Sequence, residues 1–252
     1  MHIVVVVAHP DEESIRFGGT IARHVRLGHK ATIIVLTRGG LGHASMPVGK
    51  LRETRVREVS KAAEILGADL IVMETFEDQW IPADPHLVAR TLIDPLRALK
   101  PDVILAEDPT VLPCDQSNGG RGVIDAAGKL YFPLLVTEHP AVPIPDIYHL
   151  AENNQRPDVY IDITDVIDIK TAAMRCHQTQ IHTSADLYWD EAQLVRSPDA
   201  SRAEEIWIQN LLKLSARWGK QSGAEYAEAY VAYRSPLRMA RRTLPLREEI
   251  VG

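Results

Sequence analysis

Ile3-Val4-Val5-Val6-Val7-Ala8 runs directly into His9-Pro10-Asp11-Glu12-Glu13 at the start of a chain of 252 residues. The continuous apolar run, rich in β-branched residues, predicts a parallel strand that is covered on both faces. One imidazole and three carboxylates follow within five residues, and the carboxyl end of a first strand is where an open α/β sheet places its ligand site. The stretch therefore predicts both the fold class and a metal-binding site.

Strand-like and helix-like segments alternate through the first half of the chain. Apolar runs favour strands, whereas apolar residues at helical spacing and glycine stops favour helices. The predicted strands are residues 3–8, 31–37, 69–73 and 102–106, and the predicted helices are residues 18–26, 50–66, 85–99 and 122–130. Helical crossovers of this length imply an α/β fold, with a Rossmann-like doubly wound, mostly parallel sheet and helices on both faces.

The second half of the chain is less regular, because four prolines interrupt residues 133–145. A strand is predicted at residues 159–163, helices at residues 166–177 and 203–218, and an acidic, tryptophan-bearing excursion at residues 188–202. We expect one domain over residues 1–252, with a Rossmann-like core over 1–130 and a C-terminal elaboration over 131–252.

Composition narrows the class of protein further. The formal net charge of −6 and the lack of a basic stripe argue against nucleic-acid binding, and we expect the basic cluster at residues 238–242 to be a solvated tail. Two cysteines are too few for a disulfide framework. No leader and no apolar run of ~20 residues is present, so we expect a cytoplasmic protein that does not bind membranes. Glycines 39, 40 and 42 lack the spacing of a dinucleotide-binding loop.

The opening motif contains the groups that metal-assisted hydrolysis needs. His9 offers an imidazole nitrogen, the Glu12 carboxylate can turn back toward the same point, and Asp11 is left to act on a bound water. A divalent metal lowers the pKa of bound water from ~16 toward ~7, after which a nearby carboxylate can take the proton. The alternative is a helix-entry turn with acidic caps and a solvent-facing His9.

Residues 6–13, followed by Phe17-Gly18-Gly19-Thr20, resemble the signature Ala-His-Pro-Asp-Asp-Glu…Gly-Gly-Thr of the PIG-L/LmbE-like family. The likeness continues, in the order found in the family, through residues 36–40, 55–67, 101–104, 158–164 and 170–180. The resemblance spans most of the chain. It implies a zinc-dependent N-deacetylase that acts on substrates bearing N-acetylglucosamine.

The resemblance also implies roles for individual residues. His9 and Glu12 match two metal ligands of the family motif, and Asp11 matches its general base. Glu12 stands where the family has an aspartate, one methylene shorter. Arg55 matches a residue that often holds the substrate, although a helix-surface ion pair with Glu58 is equally open.

The chain departs from the family at the second metal motif. Where the family has His-x-Asp-His, this chain has Pro113-Cys114-Asp115-Gln116. Gln116 therefore takes the position of the third metal ligand, where only its amide oxygen can coordinate, and such an oxygen suits hard cations better than zinc. Pro113 replaces a histidine that stabilises the oxyanion, a contribution typically worth ~3 kcal/mol.

Several residues could compensate for the missing histidines. Cys114 or Asp115 could bind the metal directly, or a histidine could approach from the second half of the chain, and the candidates there are His139, His149 and His177. Simpler readings are also open. In these, Cys114 is a buried apolar residue, and Asp115 with Asn118 orders the loop and caps the following helix.

The leading hypothesis is a metal-dependent N-deacetylase of an N-acyl amino-sugar-like small molecule. The alternative is a metal-dependent hydratase (a lyase), because the resemblance also covers 4-oxalomesaconate hydratases; Arg16, Arg38 and Arg55 would then bind a polycarboxylate. A third hypothesis is a catalytically degenerate member that only binds a ligand. Related proteins often form trimers or hexamers, so a homo-oligomer is expected.

Overall fold

The computed structural model describes residues 1–111, 114–151, 155–187 and 200–234. Most of the excursion predicted at residues 188–202, and all of the basic cluster at residues 238–242, lies outside these ranges. Among the described helices, none combines the length and the apolar character that a bilayer crossing requires.

Seven strands of the described ranges form a single sheet. They are β1 (His2–Val7), β2 (Lys30–Thr37), β3 (Asp69–Phe76), β4 (Val103–Ala106), β5 (Asp146–Leu150), β6 (Val159–Asp162) and β7 (Ala227–Ala232). The described helices are α1 (Glu12–Arg26), α2 (Val48–Leu66), α3 (Pro85–Leu99), α4 (Asp115–Lys129), α5 (Ile167–Met174), α6 (Gln178–Leu187) and α7 (Ala200–Ser222). A short 3-10 turn, Thr164–Val166, precedes α5.

The strand order is β3-β2-β1-β4-β5-β7-β6. In this order, the five strands from β3 to β5 run parallel to one another, and β7 runs antiparallel to both β5 and β6. The chain moves outward from β1 to β3 and then returns to place β4 on the other side of β1. The carboxyl ends of β1 and β4 therefore flank a topological switch point, where doubly wound sheets bind their ligands.

Apolar side chains cover both faces of the sheet, as predicted. One cluster joins the first strands to α1, α2 and α5, with Phe17 and Ile21 of α1 fully buried. The other cluster joins them to α3 and α4, with Leu92 and Val123 fully buried. The predicted α/β fold, a doubly wound and mostly parallel sheet, is confirmed.

Two helices, α1 and α4, begin six or seven residues earlier than predicted, and glycine explains both differences. The sequence predicts helix starts at residues 18 and 122, whereas α1 begins at Glu12 and α4 at Asp115. Glycines inside these helices permit close packing instead of ending the helices: a Cβ on Gly19 would lie 2.6 Å from Ile163, and one on Gly120 would overlap the Glu107 carbonyl.

Strands β5 and β7 were missed by the sequence prediction, and the helix predicted at residues 166–177 is wrong in its extent. The chain instead forms the 3-10 turn and α5, and His177 lies just before α6. Both missed strands pair with partners distant in sequence, such as Tyr148 with Ala232. Local pattern carries little information about such pairing.

Candidate metal and catalytic site

His9 lies two residues beyond the end of β1 and is 7% exposed. Its imidazole sits between carboxylates on both sides. Nδ1 lies 3.2 Å from Glu12 Oε1, while Nε2 lies 2.9 Å from Asp115 Oδ2 and 3.0 Å from Asp78 Oδ1. The other oxygen of Glu12 accepts the backbone N–H of His9 at 2.9 Å. The solvent-facing His9 of the alternative interpretation is therefore wrong.

Backbone donors fix the carboxylates that face His9 Nε2. Asp115 accepts the backbone N–H groups of Gln79 at 2.6 Å and Ile81 at 3.0 Å, and Asp78 accepts that of Leu41 at 2.8 Å. A carboxylate on one ring nitrogen orients a histidine and raises the basicity of its other nitrogen, as around many metal ions. The arrangement therefore directs Nδ1 toward Glu12.

The charges in this cluster favour a cation. Burial by itself would lower the pKa of His9, but the charge of Glu12 and the hydrogen bonds to Asp115 and Asp78 raise it well above its usual value. Burial would raise the pKa of Glu12, yet the charge and hydrogen bonds of His9 lower it to about 2. The pKa of Asp78 is likewise held low, against the effect of burial, by its hydrogen bond with His9. A positive charge is thus stabilised at the imidazole, whether a proton or a metal ion carries it.

Gln116 completes the group on the Nδ1 side. Its Nε2 donates to Glu12 Oε1 at 2.7 Å and lies 3.4 Å from His9 Nδ1. Ligand atoms around a tetrahedral ion with bonds of ~2.0–2.1 Å lie about 3.3 Å apart. The 3.2 Å between His9 Nδ1 and Glu12 Oε1 matches this spacing, whereas the Gln116 amide, hydrogen-bonded to Glu12, would have to move away from it to share a cation. A half-turn of the terminal amide would present Oε1 in place of Nε2.

The opposite side of the imidazole has a second donor group. Ligand atoms of His9, Asp78 and Asp115 all lie within 4.8 Å of one another. This group depends on Asp115, whose two oxygens both accept backbone N–H groups, whereas only one oxygen of Glu12 does. Asp115 is therefore better suited to orienting the imidazole than to binding an ion. The donor set on the Nδ1 side therefore fits a metal better.

Asp11 adopts a backbone conformation that few side chains tolerate, with φ at 143°. It lies at the N-terminus of α1, and its side chain is 14% exposed. The Arg55 guanidinium donates to Asp11 Oδ1 at 2.9 Å and to the carbonyls of Pro10 at 2.6 Å and Gly39 at 3.1 Å. Burial raises the pKa of Asp11 to about 6, with Arg55 opposing the shift and Glu12 adding to it.

A buried polar clamp holds Asp11 in this conformation. Glu13 Oε2 accepts the backbone N–H of Asp11 at 2.9 Å, and Glu13 Oε1 accepts the Ser14 hydroxyl at 2.6 Å. His177 Nε2 lies 2.9 Å from the same Oε1, and both side chains are fully buried. Burial would raise the pKa of Glu13, but His177 lowers it. The clamp offsets backbone strain of about 1–3 kcal/mol.

The three arginines that were predicted to bind substrate lie in three different environments. Arg55 is buried against Asp11, so the alternative of a surface ion pair with Glu58 is wrong. Glu58 instead accepts hydrogen bonds from the backbone N–H and the hydroxyl of Thr179. Arg16 lies one helical turn after Glu12, with Nε 3.9 Å from Glu107 Oε2. Arg38 follows β2 and forms an ion pair with Glu74 at 3.2 Å.

Other predicted substitutes for the missing ligands lie elsewhere. Cys114 is exposed at the start of α4, so the interpretation as a buried apolar residue is wrong. Its thiol lies against the Ser117 hydroxyl. The remaining candidates have partners outside the His9 cluster: His139 contacts Asp94, His149 lies 3.7 Å from Asp108 Oδ1, and His177 contacts Glu13. Asn118 donates to the Ile81 carbonyl at 2.8 Å. The N-cap of α4 is Cys114, so the helix cap predicted from Asp115 and Asn118 is wrong.

Sequence reasoning missed Asp78. It lies two residues beyond the end of β3 and is 2% exposed. A carboxylate just past a parallel strand was the available signal, because such positions meet at the same edge of the sheet.

The fold and the site together define a Rossmann-like α/β protein with a buried cluster of one imidazole and several carboxylates at the carboxyl edge of its sheet. The family pattern of PIG-L, described as GlcNAc-PI de-N-acetylase, matches residues 4–127. The diacetylchitobiose deacetylase of Thermococcus kodakarensis is 26% identical over 239 residues, which cover 90% of this chain and 80% of that protein. The 4-oxalmesaconate hydratase of Pseudomonas putida is 31% identical over 220 residues, covering 79% and 81%.

This chain belongs to the PIG-L/LmbE family. Its fold is also that of the N,N'-diacetylchitobiose deacetylase of Pyrococcus horikoshii, with a TM-score of 0.76 and 22% identity over 95% of this chain and 88% of that one. The curated relatives thus include both deacetylases and a hydratase.

Proposed function

We propose that this protein is a metal-dependent N-deacetylase that hydrolyses the amide of an N-acyl amino-sugar-like small molecule. The observation that carries the proposal is the position of Asp11, a largely buried carboxylate held in a strained conformation beside the His9 group. The deacetylases among the relatives support the reaction class.

His9 Nδ1, Glu12 and the amide oxygen of Gln116 are the proposed metal ligands, and zinc is the proposed metal. The 3.2 Å between His9 Nδ1 and Glu12 Oε1, the place of the Gln116 amide beside Glu12, and the low pKa of Glu12 support this assignment. A bound divalent cation would polarise the amide carbonyl and acidify a water molecule. The weak donor strength of Gln116 predicts looser zinc binding than three strong ligands would give.

Asp11 is the proposed general base. A pKa of about 6 keeps most of the carboxylate ionised at neutral pH and still allows it to accept a proton. Since Arg55 donates to Oδ1, Oδ2 is the oxygen assigned to take the proton from water. The protonated Asp11 would then return that proton to the amine nitrogen as the amide bond breaks.

The three arginines have different proposed roles in substrate binding. Arg55 is committed to Asp11 and two carbonyls, so it would act on the substrate through its charge and by orienting the base. Arg16 and Arg38 have partly exposed side chains near the carboxyl edge of the sheet. These two are the better candidates for direct contact with polar substrate groups.

Metal analysis and activity measurements on two substitutions and a control test the proposal together. We expect about one zinc per chain by elemental analysis after zinc is supplied, and its loss in His9→Ala. Asp11→Asn should lower amine release from N,N'-diacetylchitobiose and N-acetylglucosamine by at least about 100-fold, because general-base catalysis contributes ~10²–10⁴-fold. Asp69→Asn, an exposed carboxylate on β3, is the control. Undiminished activity in Asp11→Asn, with metal content unchanged, would contradict the proposal.

A hydratase is the second candidate, because a curated relative with that activity is 31% identical. Arginines bind carboxylates bidentately, so Arg16 and Arg38 would suit a polycarboxylate substrate. Turnover of 4-oxalmesaconate without amine release from any N-acyl sugar would favour this candidate over the deacetylase.

We also propose that chains associate into a homo-oligomer. Apolar side chains after α4 support this, since Leu134 is 93% exposed and Val136 is 89% exposed. Light scattering should give a mass that is a multiple of 28.0 kDa, and Leu134→Glu with Val136→Glu should lower it. A wild-type mass of one chain would overturn this proposal.

A further inference from the structure

A pocket of about 220 Å³ lies beside the proposed active site, between α1 and α7. Most of its lining is apolar and includes Ile15, Leu150, Leu211, Leu214 and Trp218. Arg16 lies at one side, and Asn210 and Ser215 of α7 contribute neutral polar groups. No metal ligand or catalytic group proposed above belongs to this lining, so the pocket is a feature separate from the metal group.

The pocket lies within reach of the reacting centre. Arg16 is four residues after Glu12 on α1, which places the two side chains on one face of the helix about one turn, or ~5.4 Å, apart. Leu150 ends β5, at the same carboxyl edge of the sheet as His9. A group attached to a substrate amide at the metal ligands can therefore extend along α1 into the pocket.

The charges at the floor of the pocket are already paired. Lys170 Nζ donates to Glu228 Oε1 at 2.6 Å and to the Ile15 carbonyl at 2.7 Å. Glu228 also accepts the backbone N–H groups of Gly19 at 2.9 Å and Thr20 at 2.8 Å. Because Lys170 and Glu228 neutralise each other, a charged ligand group would gain no counter-charge from either of them, and this part of the pocket favours an apolar occupant.

The volume of the pocket exceeds what an acetyl group fills. An apolar cavity of roughly 150 Å³ accommodates benzene, and this pocket measures about 220 Å³. It therefore has room for roughly six to eight carbon-sized atoms, whereas an acetyl group would leave most of it empty.

We propose that this pocket binds the acyl chain of the substrate, and that the protein prefers N-acyl amino sugars with a medium-length chain of about six carbons to N-acetyl ones. This inference rests on the proposed deacylase function and assigns its substrate class. In the reaction, water supplies its oxygen to the acyl carbon and a proton to the amine nitrogen. The C–N bond breaks, and the products are a free amino sugar and a medium-chain carboxylic acid.

The first experiment compares the hydrolysis of N-hexanoylglucosamine and N-acetylglucosamine by the metal-loaded protein. Each methylene moved from water into the pocket is worth roughly fourfold in binding, so kcat/KM should favour the hexanoyl substrate by at least about tenfold. Leu214→Trp fills the pocket and should lower that ratio by about tenfold or more. Ala216→Trp places the same new side chain on an exposed position of α7 and should leave the ratio unchanged. Melting temperatures establish that both variants fold.

Equal kcat/KM for the two substrates would overturn the inference while leaving the proposed deacylase function intact. Faster hydrolysis of the hexyl glycoside of N-acetylglucosamine than of N-hexanoylglucosamine would also overturn it, because the pocket would then hold the aglycone.

A binding measurement separates this inference from the proposed function. If no amide is hydrolysed, the deacylase function fails, and calorimetric titration with the same two compounds tests the pocket alone. Tighter binding of N-hexanoylglucosamine, lost in Leu214→Trp and kept in Ala216→Trp, supports the pocket as an acyl-chain site. Equal or undetectable binding of both compounds overturns it.

Discussion

At the scale of single residues, the site depends on a conformation that its own sequence disfavours. Asp11 has φ at 143°, a region that favours glycine. The backbone remains there because Arg55 and Glu13 form hydrogen bonds with Asp11, and the buried His177 in turn holds Glu13. The energy stored at Asp11 is offset by a polar network that this part of the chain could not form alone.

His177→Ala should destabilise the protein, because it leaves the Glu13 carboxylate buried without its charged partner. Removing one member of a buried pair costs about 3–5 kcal/mol, to be measured by urea denaturation. His177→Gln is the matched variant, since its amide N–H can donate to Glu13, and it should recover a large part of the loss. A loss below about 1 kcal/mol in His177→Ala would show that Glu13 holds Asp11 without His177.

At the scale of helices, glycine sets how closely α3 and α4 approach. Gly122 of α4 lies against Val88 of α3, and a Cβ added there would overlap the Val88 side chain. Gly128, also on α4, has open space around its Cβ position. The two glycines share a helix but differ in what they contact.

Substituting each of these glycines with alanine should have opposite effects on stability. Gly122→Ala should cost about 1–3 kcal/mol, because the stiff Val88 side chain leaves little room for adjustment. Gly128→Ala should stabilise the protein by up to about 1 kcal/mol, since alanine is the better helix former. Thermal and urea unfolding measure both changes. Destabilisation by Gly128→Ala of the same size would refute the packing explanation.

At the scale of the whole molecule, buried titratable groups make stability depend on pH. His24 of α1 is 2% exposed, and burial together with the neighbouring His29 lowers its pKa to about 4. Its unfolded pKa is about 6.5. Between these values the unfolded chain binds the proton and the folded chain does not. The contribution of His24 to the free energy of unfolding is therefore complete above pH ~6.5 and declines as pH falls toward ~4.

The loss attributable to His24 should approach about 3 kcal/mol by pH 4. Asp11, with a pKa raised to about 6, acts in the opposite direction in the same range, so wild type is compared with His24→Gln at each pH. As pH falls from 6.5 to 4, the free energy of unfolding of wild type should fall relative to that of His24→Gln. A difference independent of pH would contradict this assignment.

Much of the fold was predictable, because the information was local. The apolar run after Met1 predicted a buried strand, and α3 has the predicted bounds, with Asp84 capping its first turn. Glycine misled the prediction wherever it served packing, as at Gly19 and Gly120. The added strands β5 and β7 escaped prediction because pairing across the chain forms them.

The candidate site also combines features that local sequence predicted with features that depend on tertiary contacts. The sequence by itself determined the order of strands and helices from β1 to α4 and the group His9, Asp11 and Glu12, because these depend on neighbours in the chain. Only the tertiary structure decided that Asp78 and Asp115 hold His9, and that Gln116 faces Glu12. These contacts join the ends of separate parallel strands, which meet only when the sheet assembles. The same assembly buries the carboxylates and sets their pKa values, so the chemistry of the site arises with the fold.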